Sequence, residues 1–366
     1  MDSRLRVNYD YQIFSMQVYG GVSRYVVELA SHIARMPHVC VRVVAPIYVS
    51  KLLASGGALP KTGLHLRHRL PHTVTALSIL NAVVSRVLLP TLPADIVHET
   101  YYSALRTAPQ HAKVVLTVHD LIEERLGRTD GAMGRAKRAA IQRADHVICI
   151  SQSTRNDLLH WCSVPRERVS VIYLAGSLGD VPSSPPPVSG PYILYVGQRG
   201  GYKNFRRLVE AIGISELHRS FKLICFGGGP ASPEEMRLIA GHRIPFDHVE
   251  FVSGDDTLLK GYYEGAALFV YPSLYEGFGI PLLEAMQCGC PVICSDTSCF
   301  REVAEHSAEY FDPADTASLA ATMVRVLQSS ELLGALVRGG RLRAEMFSWS
   351  KCAHETYSCY RDVVGH

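Results

Sequence analysis

Two glutamates, Glu276 and Glu284, stand with seven residues between them in the stretch YPSLYEGFGIPLLEAMQCGCP, Tyr271 to Pro291. An apolar strand, LFVYP, runs into a glycine-containing loop and then into a helix opened by Pro281, whose missing N–H costs nothing in a first helical turn. Gly277 and Gly279 let backbone approach a ligand closely. Loop amides and a helix N-terminus together form an anion site of the size of a diphosphate. A carboxylate beside such a site is repelled unless it accepts hydrogen bonds, as from sugar hydroxyls. The competing assignment has Glu276 capping the helix and Glu284 solvated.

A second stretch, YILYVGQRGGYKNF, Tyr192 to Phe205, repeats strand, glycine turn and helix. Lys203 opens that helix, where a positive charge is unfavourable without an anion. It can set a point charge on a departing phosphate. In the first half, Gly20 and Gly21 follow the first strand and open a helix, without the GxGxxG pattern of a dinucleotide site. TVHDL puts His119 and Asp120 at the end of a buried strand, with Asp120 placed to orient the imidazole or to cap the next turn. HETYY ends another strand, and its Tyr101 and Tyr102 either line an acceptor groove or pack.

These residues need a scaffold that collects strand ends. The chain alternates β-branched runs, such as Arg4–Tyr9, Val114–His119, Ile193–Gly197 and Leu268–Tyr271, with helix-period segments, such as Val22–Ala34, Phe205–Ile214 and Ala317–Leu327. That alternation predicts parallel sheets covered by helices on both faces, with ligands beyond the strand carboxyl ends at switch points. Residues 179–191, GDVPSSPPPVSGP, hold five prolines in thirteen positions and read as a semi-rigid linker. The expected division is a first domain over 1–178, a linker over 179–191, a second domain over 192–349, and a final helix over 350–366 that can cross back to the first domain.

The chain has 366 residues, 47% hydrophobic and 19% charged, enough for two cores and unlike a disordered chain. A net charge of +3 without a basic, aromatic-interleaved stripe argues against nucleic acid as a partner. The ten cysteines show no CxxC and no zinc spacing, and read as reduced thiols of a cytoplasmic protein. MDSRLRVNYD does not read as a signal peptide. There is no DxD; Asp255 and Asp256 precede a helix, where capping is expected. His65 to His72, HLRHRLPH, followed by apolar Val74–Leu89, reads first as a solvated strand before a core helix, and second as a peripheral contact with the inner face of a membrane.

The stretch EGFGIPLLEAMQCGCPVICS resembles the donor-site signature of retaining glycosyltransferases of family 4. The resemblance covers nearly the whole chain and is strongest from Tyr192 to Pro313. It implies the α/β GT-B fold, two Rossmann-like doubly wound parallel-sheet domains facing a central cleft. It gives Glu276 the transferred sugar and Glu284 the donor ribose, with Gly277, Phe278, Gly279 and Ile280 at the sugar and phosphates. Lys203 takes the leaving phosphate, His119 the sugar, and Gly20 and Gly21 the diphosphate. The family's arginine directly after VG is replaced by Gln198, and Arg199 is expected to substitute. The wording VIYLAG, CFGGGP and FVYPSLYEGFG is most similar to bacterial mannosyltransferases of O-antigen-type surface polysaccharide. That implies a GDP-linked mannose-like donor and a glycan or polyprenyl-diphosphate-linked acceptor. The donor is a substrate, so no cofactor and no metal are implied. The competing readings are a nucleotide-sugar epimerase on the same fold, a non-catalytic nucleotide-sugar-binding protein, and an NAD-dependent dehydrogenase, the last disfavoured by the missing glycine fingerprint.

Overall fold

The computed structural model describes residues 4–57, 59–67, 73–129, 131–297 and 299–365. Its first sheet holds β1 (Leu5–Tyr9), β2 (Val39–Tyr48), β3 (Lys61–His65), β4 (Ile96–Glu99), β5 (Lys113–Val118), β6 (His146–Cys149) and β7 (Val169–Val171), in the order β3-β2-β1-β4-β5-β6-β7. All its pairings are parallel, such as Val7↔Ile96 and Thr117↔Ile148. Val7, Tyr9, Val97, Val114, Leu116 and Val118 are buried, as strands covered on both faces require. The order reverses between β1 and β4, so the loops after these strands flank a switch point.

The first compact unit comprises Met1–Leu174 and Trp349–His366. The last helix, Trp349–Val364, is part of its core. Trp349 meets Tyr25 of the helix Gly21–Ile33 at 6.2 Å between ring centroids. The buried Tyr360 hydroxyl lies 2.5 Å from His98 Nδ1 and 3.0 Å from the Tyr9 hydroxyl. His98 Nε2 in turn meets Thr117 Oγ1 at 2.9 Å.

The second unit, Ala175–Ser348, carries β8 (Tyr192–Val196), β9 (Lys222–Phe226), β10 (Val249–Val252), β11 (Leu268–Tyr271), β12 (Val292–Ser295) and β13 (Glu309–Phe311). Their order is β10-β9-β8-β11-β12-β13, again all parallel, with the reversal between β8 and β11. The proline-rich segment belongs to this unit and lies along the helix Asp256–Gly265. Lys260 Nζ donates to the carbonyls of Gly179 and Val181 at 3.0 and 2.7 Å, and Ser184 N donates to Thr257 O at 3.3 Å. A Cβ at Gly261 would stand 1.8 Å from Ser184 O, so the close approach depends on that glycine. Prolines removed the segment's own donors, and its carbonyls found partners on the helix instead.

The helix Val74–Leu88 corrects the expectation of a core helix. Its buried residues are Asn81, Ala82 and Ser85. Ile79, Val83 and Val87 are 61%, 59% and 72% exposed, and Leu80 and Val84 are exposed beside them. The cause is a backbone demand: Asn81 accepts from Ile47 N and donates to Ile47 O, both at 2.8 Å, where the β2–β3 register shifts between Val44 and Ile47. Of the basic stretch before this helix, residues 68–72 lie outside the described residues.

Candidate functional site

In the second unit, the two motifs become the loops at the switch point. After β8 the chain forms a 3-10 turn, Gly201–Lys203, and the helix Phe205–Ile214 begins only after Asn204. Lys203 therefore ends the turn rather than opening the helix. Asn204 is left-handed, φ 59°, and its Nδ2 donates to Pro272 O and Pro313 O, both at 3.0 Å. Leu274 N donates to Tyr202 O at 2.7 Å. These bonds tie the β8 loop to the β11 loop and set the distance between their side chains.

Across that tie, Lys203 Nζ donates to Glu276 Oε1 at 2.6 Å, with side chains 19% and 11% exposed. The helix after the loop, Ile280–Gln287, has no side-chain cap, so Glu276 is not its capping residue. Burial pulls the Lys203 ammonium down, but Glu276 and then Tyr202 outweigh it and hold it above its ordinary value. Glu276 itself supplies an anion to the lysine at this place. Burial, and then the Glu276 carboxylate and a hydrogen bond to it, push the Tyr271 hydroxyl far up. Cys299 Sγ donates to Glu276 O at 3.3 Å.

Gly279 has φ 96°, and a Cβ there would lie 3.1 Å from Phe300 Cε1, so the turn into the helix needs glycine on two counts. Pro281 is the second helical residue, one later than expected, behind Ile280. Phe278 is buried edge-on to Phe347 at 5.9 Å. Gly277 is buried in the same turn. Glu284 is buried at 7% exposure on this helix, not solvated.

Arg199 is a correction. Its Nε donates to Glu235 Oε1 at 2.7 Å, Nη1 to Gly227 O at 2.7 Å, and Nη2 to the carbonyls of Gly229 and Pro230 at 2.9 Å each. The guanidinium also lies 4.7 Å from the Phe251 ring centroid. With its side chain 4% exposed, it holds the glycine loop after β9 rather than presenting its fork to a phosphate. Asp255 caps its helix through Leu258 N at 3.0 Å, as expected.

In the first unit, Gly20 is extended and precedes the helix Gly21–Ile33. Gln17 Oε1 accepts from Ser23 N at 3.2 Å and would lie 2.3 Å from a Cβ on Gly20. His119 is 6% exposed; its N donates to the Tyr102 hydroxyl at 3.2 Å, and Tyr25 stands edge-on at 5.2 Å. Burial, with Lys137 adding to it, drops the imidazole to about 3, so the ring is neutral. Its buried Nε2 has no hydrogen-bond partner among the described residues. Asp120 accepts from Ile122 N at 3.2 Å, the turn-capping alternative. Tyr101 and Tyr102 are tilted against each other at 4.6 Å. Tyr102 also lines a cavity of about 280 Å³ with Gln12, Met16, Ile79, Val83 and Leu105.

Sequence reasoning missed Lys137. It is 5% exposed, bonds Glu124 Oε2 at 2.9 Å and Asp120 O at 3.1 Å, and sits 5.0 Å from the Tyr102 ring centroid. It pins the turn that carries His119. In GRAKRAAIQR it looks like any solvated helix lysine. Among the described residues no cluster of three or more His, Cys, Asp or Glu side chains could hold a metal ion.

Two parallel-sheet Rossmann-like units, each with its loops at a strand-order reversal, define a GT-B protein. The family described as "Glycosyltransferase Family 4" matches residues 19–175 and that described as "Glycosyl transferases group 1" matches 180–343. The chain belongs to these GT-B glycosyltransferases. The O-antigen chain mannosyltransferase B of Escherichia coli is 30% identical over 242 residues, covering 63% of this chain and 64% of that protein. The serotype-specific mannosyltransferase WbdA of Escherichia coli is 27% identical over 269 residues, covering 66% of this chain and 32% of WbdA. The chain thus spans under two thirds of the first of these relatives and about one third of the second. Sucrose-phosphate synthase from Thermosynechococcus elongatus shares the fold with a TM-score of 0.80 at 21% identity, over 99% of this chain and 100% of that one.

Proposed function

We propose that the chain is a retaining glycosyltransferase that moves a mannose-like hexose from a GDP-sugar to a hydroxyl of a glycan or polyprenyl-diphosphate-linked acceptor. The observation that carries this reading is the Lys203–Glu276 pair at 2.6 Å, held at a switch point between two glycine-bearing loops. One cation beside one carboxylate suits a diphosphate and its attached sugar, and this supports the reading. Lys203 and the loop amides stabilise the charge that grows on the departing phosphate, without a metal. Glu276 accepts from sugar hydroxyls and fixes the ring, and Glu284 does the same for the ribose. His119, neutral and with Nε2 unpaired, offers a hydrogen bond to a sugar hydroxyl.

The acceptor oxygen bonds to the anomeric carbon as that carbon's bond to the phosphate oxygen breaks. The hydroxyl proton passes to the departing phosphate oxygen on the same face, which retains configuration. The mannose assignment is supported by the names of the relatives and the GDP assignment by the resemblance of the motifs alone. A thermal-shift series with GDP-, UDP-, ADP- and dTDP-sugars tests it. Stabilisation by GDP-mannose above the others is expected; stabilisation by a different base alone, or by none, overturns it.

A further inference from the structure

The helix Val74–Leu88 is inside out. Its polar Asn81 and Ser85 face the sheet, while Ile79, Leu80, Val83, Val84 and Val87 face solvent. At 100° per residue these five cover an arc of roughly 140°. An aliphatic stripe of this kind on a soluble surface marks an interaction site rather than an accident of packing. The helix is tethered to the sheet by one face, because Asn81 holds both backbone groups of Ile47 and the Tyr11 hydroxyl donates to Ser78 O at 3.4 Å. Only one face is available, so an occupant must meet it side-on.

Charge says what the occupant is. From Leu29 to Ala94 the sequence contains no Asp or Glu, yet it holds seven Lys and Arg. Arg86 is exposed in the last turn of the helix itself, Arg67 is exposed seven positions before the helix, and Lys51 is exposed between β2 and β3. This region includes β2, β3 and the helix, which pack together at one edge of the first sheet. A second copy docked through the same helix would set Arg86 against its own like charge, and the stretch from Leu29 to Ala94 supplies no acid to answer it. An anionic surface that is apolar just below its charge suits both features.

We propose that the helix Val74–Leu88 seats its Ile79–Val83–Val87 stripe in an anionic lipid bilayer, lying in the interface plane. Docked so, the cavity of about 280 Å³ opens beside the membrane-facing stripe, since Ile79 and Val83 belong to both. Its inner wall is Tyr102, whose hydroxyl is bonded to His119 N. Resting on the glycosyltransferase reading, this gives the acceptor a class: an amphiphile whose hydrocarbon follows the helix and whose polar end lies toward His119.

The test is flotation of the full chain with phosphatidylcholine vesicles with and without phosphatidylglycerol, alongside the urea unfolding midpoint as a check of folding. The wild type is expected to float with the anionic vesicles, and to be released from them as salt shortens the screening length. The variant Ile79→Asp/Val83→Asp/Val87→Asp should lose vesicle binding by roughly tenfold or more while the urea midpoint does not fall. Arg86→Glu should lose binding to anionic vesicles specifically. Equal flotation of the triple variant overturns the proposal, as does equal binding to neutral vesicles. So does a wild-type dimer in light scattering that the triple variant dissociates, since the occupant is then a second copy. Failure of the donor assignment would leave the flotation results untouched, so the two readings fail separately.

Discussion

Replacing Glu276 with Gln should change binding and transfer in opposite directions. The carboxylate holds Lys203 at 2.6 Å, and a diphosphate that binds Lys203 must share or displace that bond. A hydrogen bond between charged groups contributes about 1.5–3 kcal/mol net. The two side chains are 19% and 11% exposed, so solvent screening lowers the figure to about 1–2 kcal/mol. Released from that pair, Lys203 should bind a nucleoside diphosphate about 5- to 30-fold more tightly. Transfer should fall by about 10²–10³, because the amide cannot hold the developing charge on the sugar as the carboxylate does. Isothermal titration with the diphosphate and a product assay read the two effects. Lys203→Met should weaken diphosphate binding by about tenfold. The double variant should bind no better than Lys203→Met, because the gain acts through Lys203. Unchanged or weaker binding in Glu276→Gln would refute the reasoning, as would the same gain in the double variant.

Arg199→Lys should lower stability by about 3 kcal/mol, since a point charge cannot serve Glu235 and three carbonyls at once, while the diphosphate dissociation constant stays the same; urea unfolding and calorimetry check the two halves. His119 is held at about 3 against an unfolded value near 6.5, so the stability it contributes is complete above about pH 6.5 and is lost as pH falls toward 3. In that window His119→Gln should flatten the slope of stability against pH by about 1.4 kcal/mol per unit relative to wild type, and parallel urea midpoints would contradict it. Asn204→Ala removes two buried hydrogen bonds and places alanine in a left-handed conformation, at a combined cost of about 3 kcal/mol. Asn204→Gly should recover about 1 kcal/mol of that, and equal losses in both variants would show that backbone conformation plays no part.

Much of the second unit was legible because its chemistry and its turns coincide. A glycine turn, a proline one or two residues into the helix and a flanking glutamate constrain one another, and the observed turn at Gly279 differs from expectation by a single residue. What the sequence hid was which partner each polar group finds. Arg199 looked available because nothing in VGQRGG announces the carbonyls of Gly227 to Pro230, which arrive from another strand. Lys137 was invisible for the same reason. The helix Val74–Leu88 was misjudged because a 3.6-residue period shows that a helix has two faces, and not which of them turns inward. There Ile47, on a strand thirty-four positions earlier, demanded an amide and so rotated the aliphatic side outward. The charge desert between Glu28 and Asp95 was the signal that could have corrected it.

The position of Tyr360 has a consequence for how the chain is made. A ribosome releases the strands of the first sheet early, yet His98 and Tyr9 wait for a hydroxyl encoded 262 and 351 positions later. Until that last helix emerges, His98 Nδ1 and the Tyr9 hydroxyl lack their Tyr360 partner beside an open groove along Gly21–Ile33. The leading half of the chain must therefore idle as an incomplete intermediate while the trailing half folds, and a fragment cut after Leu174 should expose apolar surface and bind ANS until a peptide spanning 349–365 is supplied.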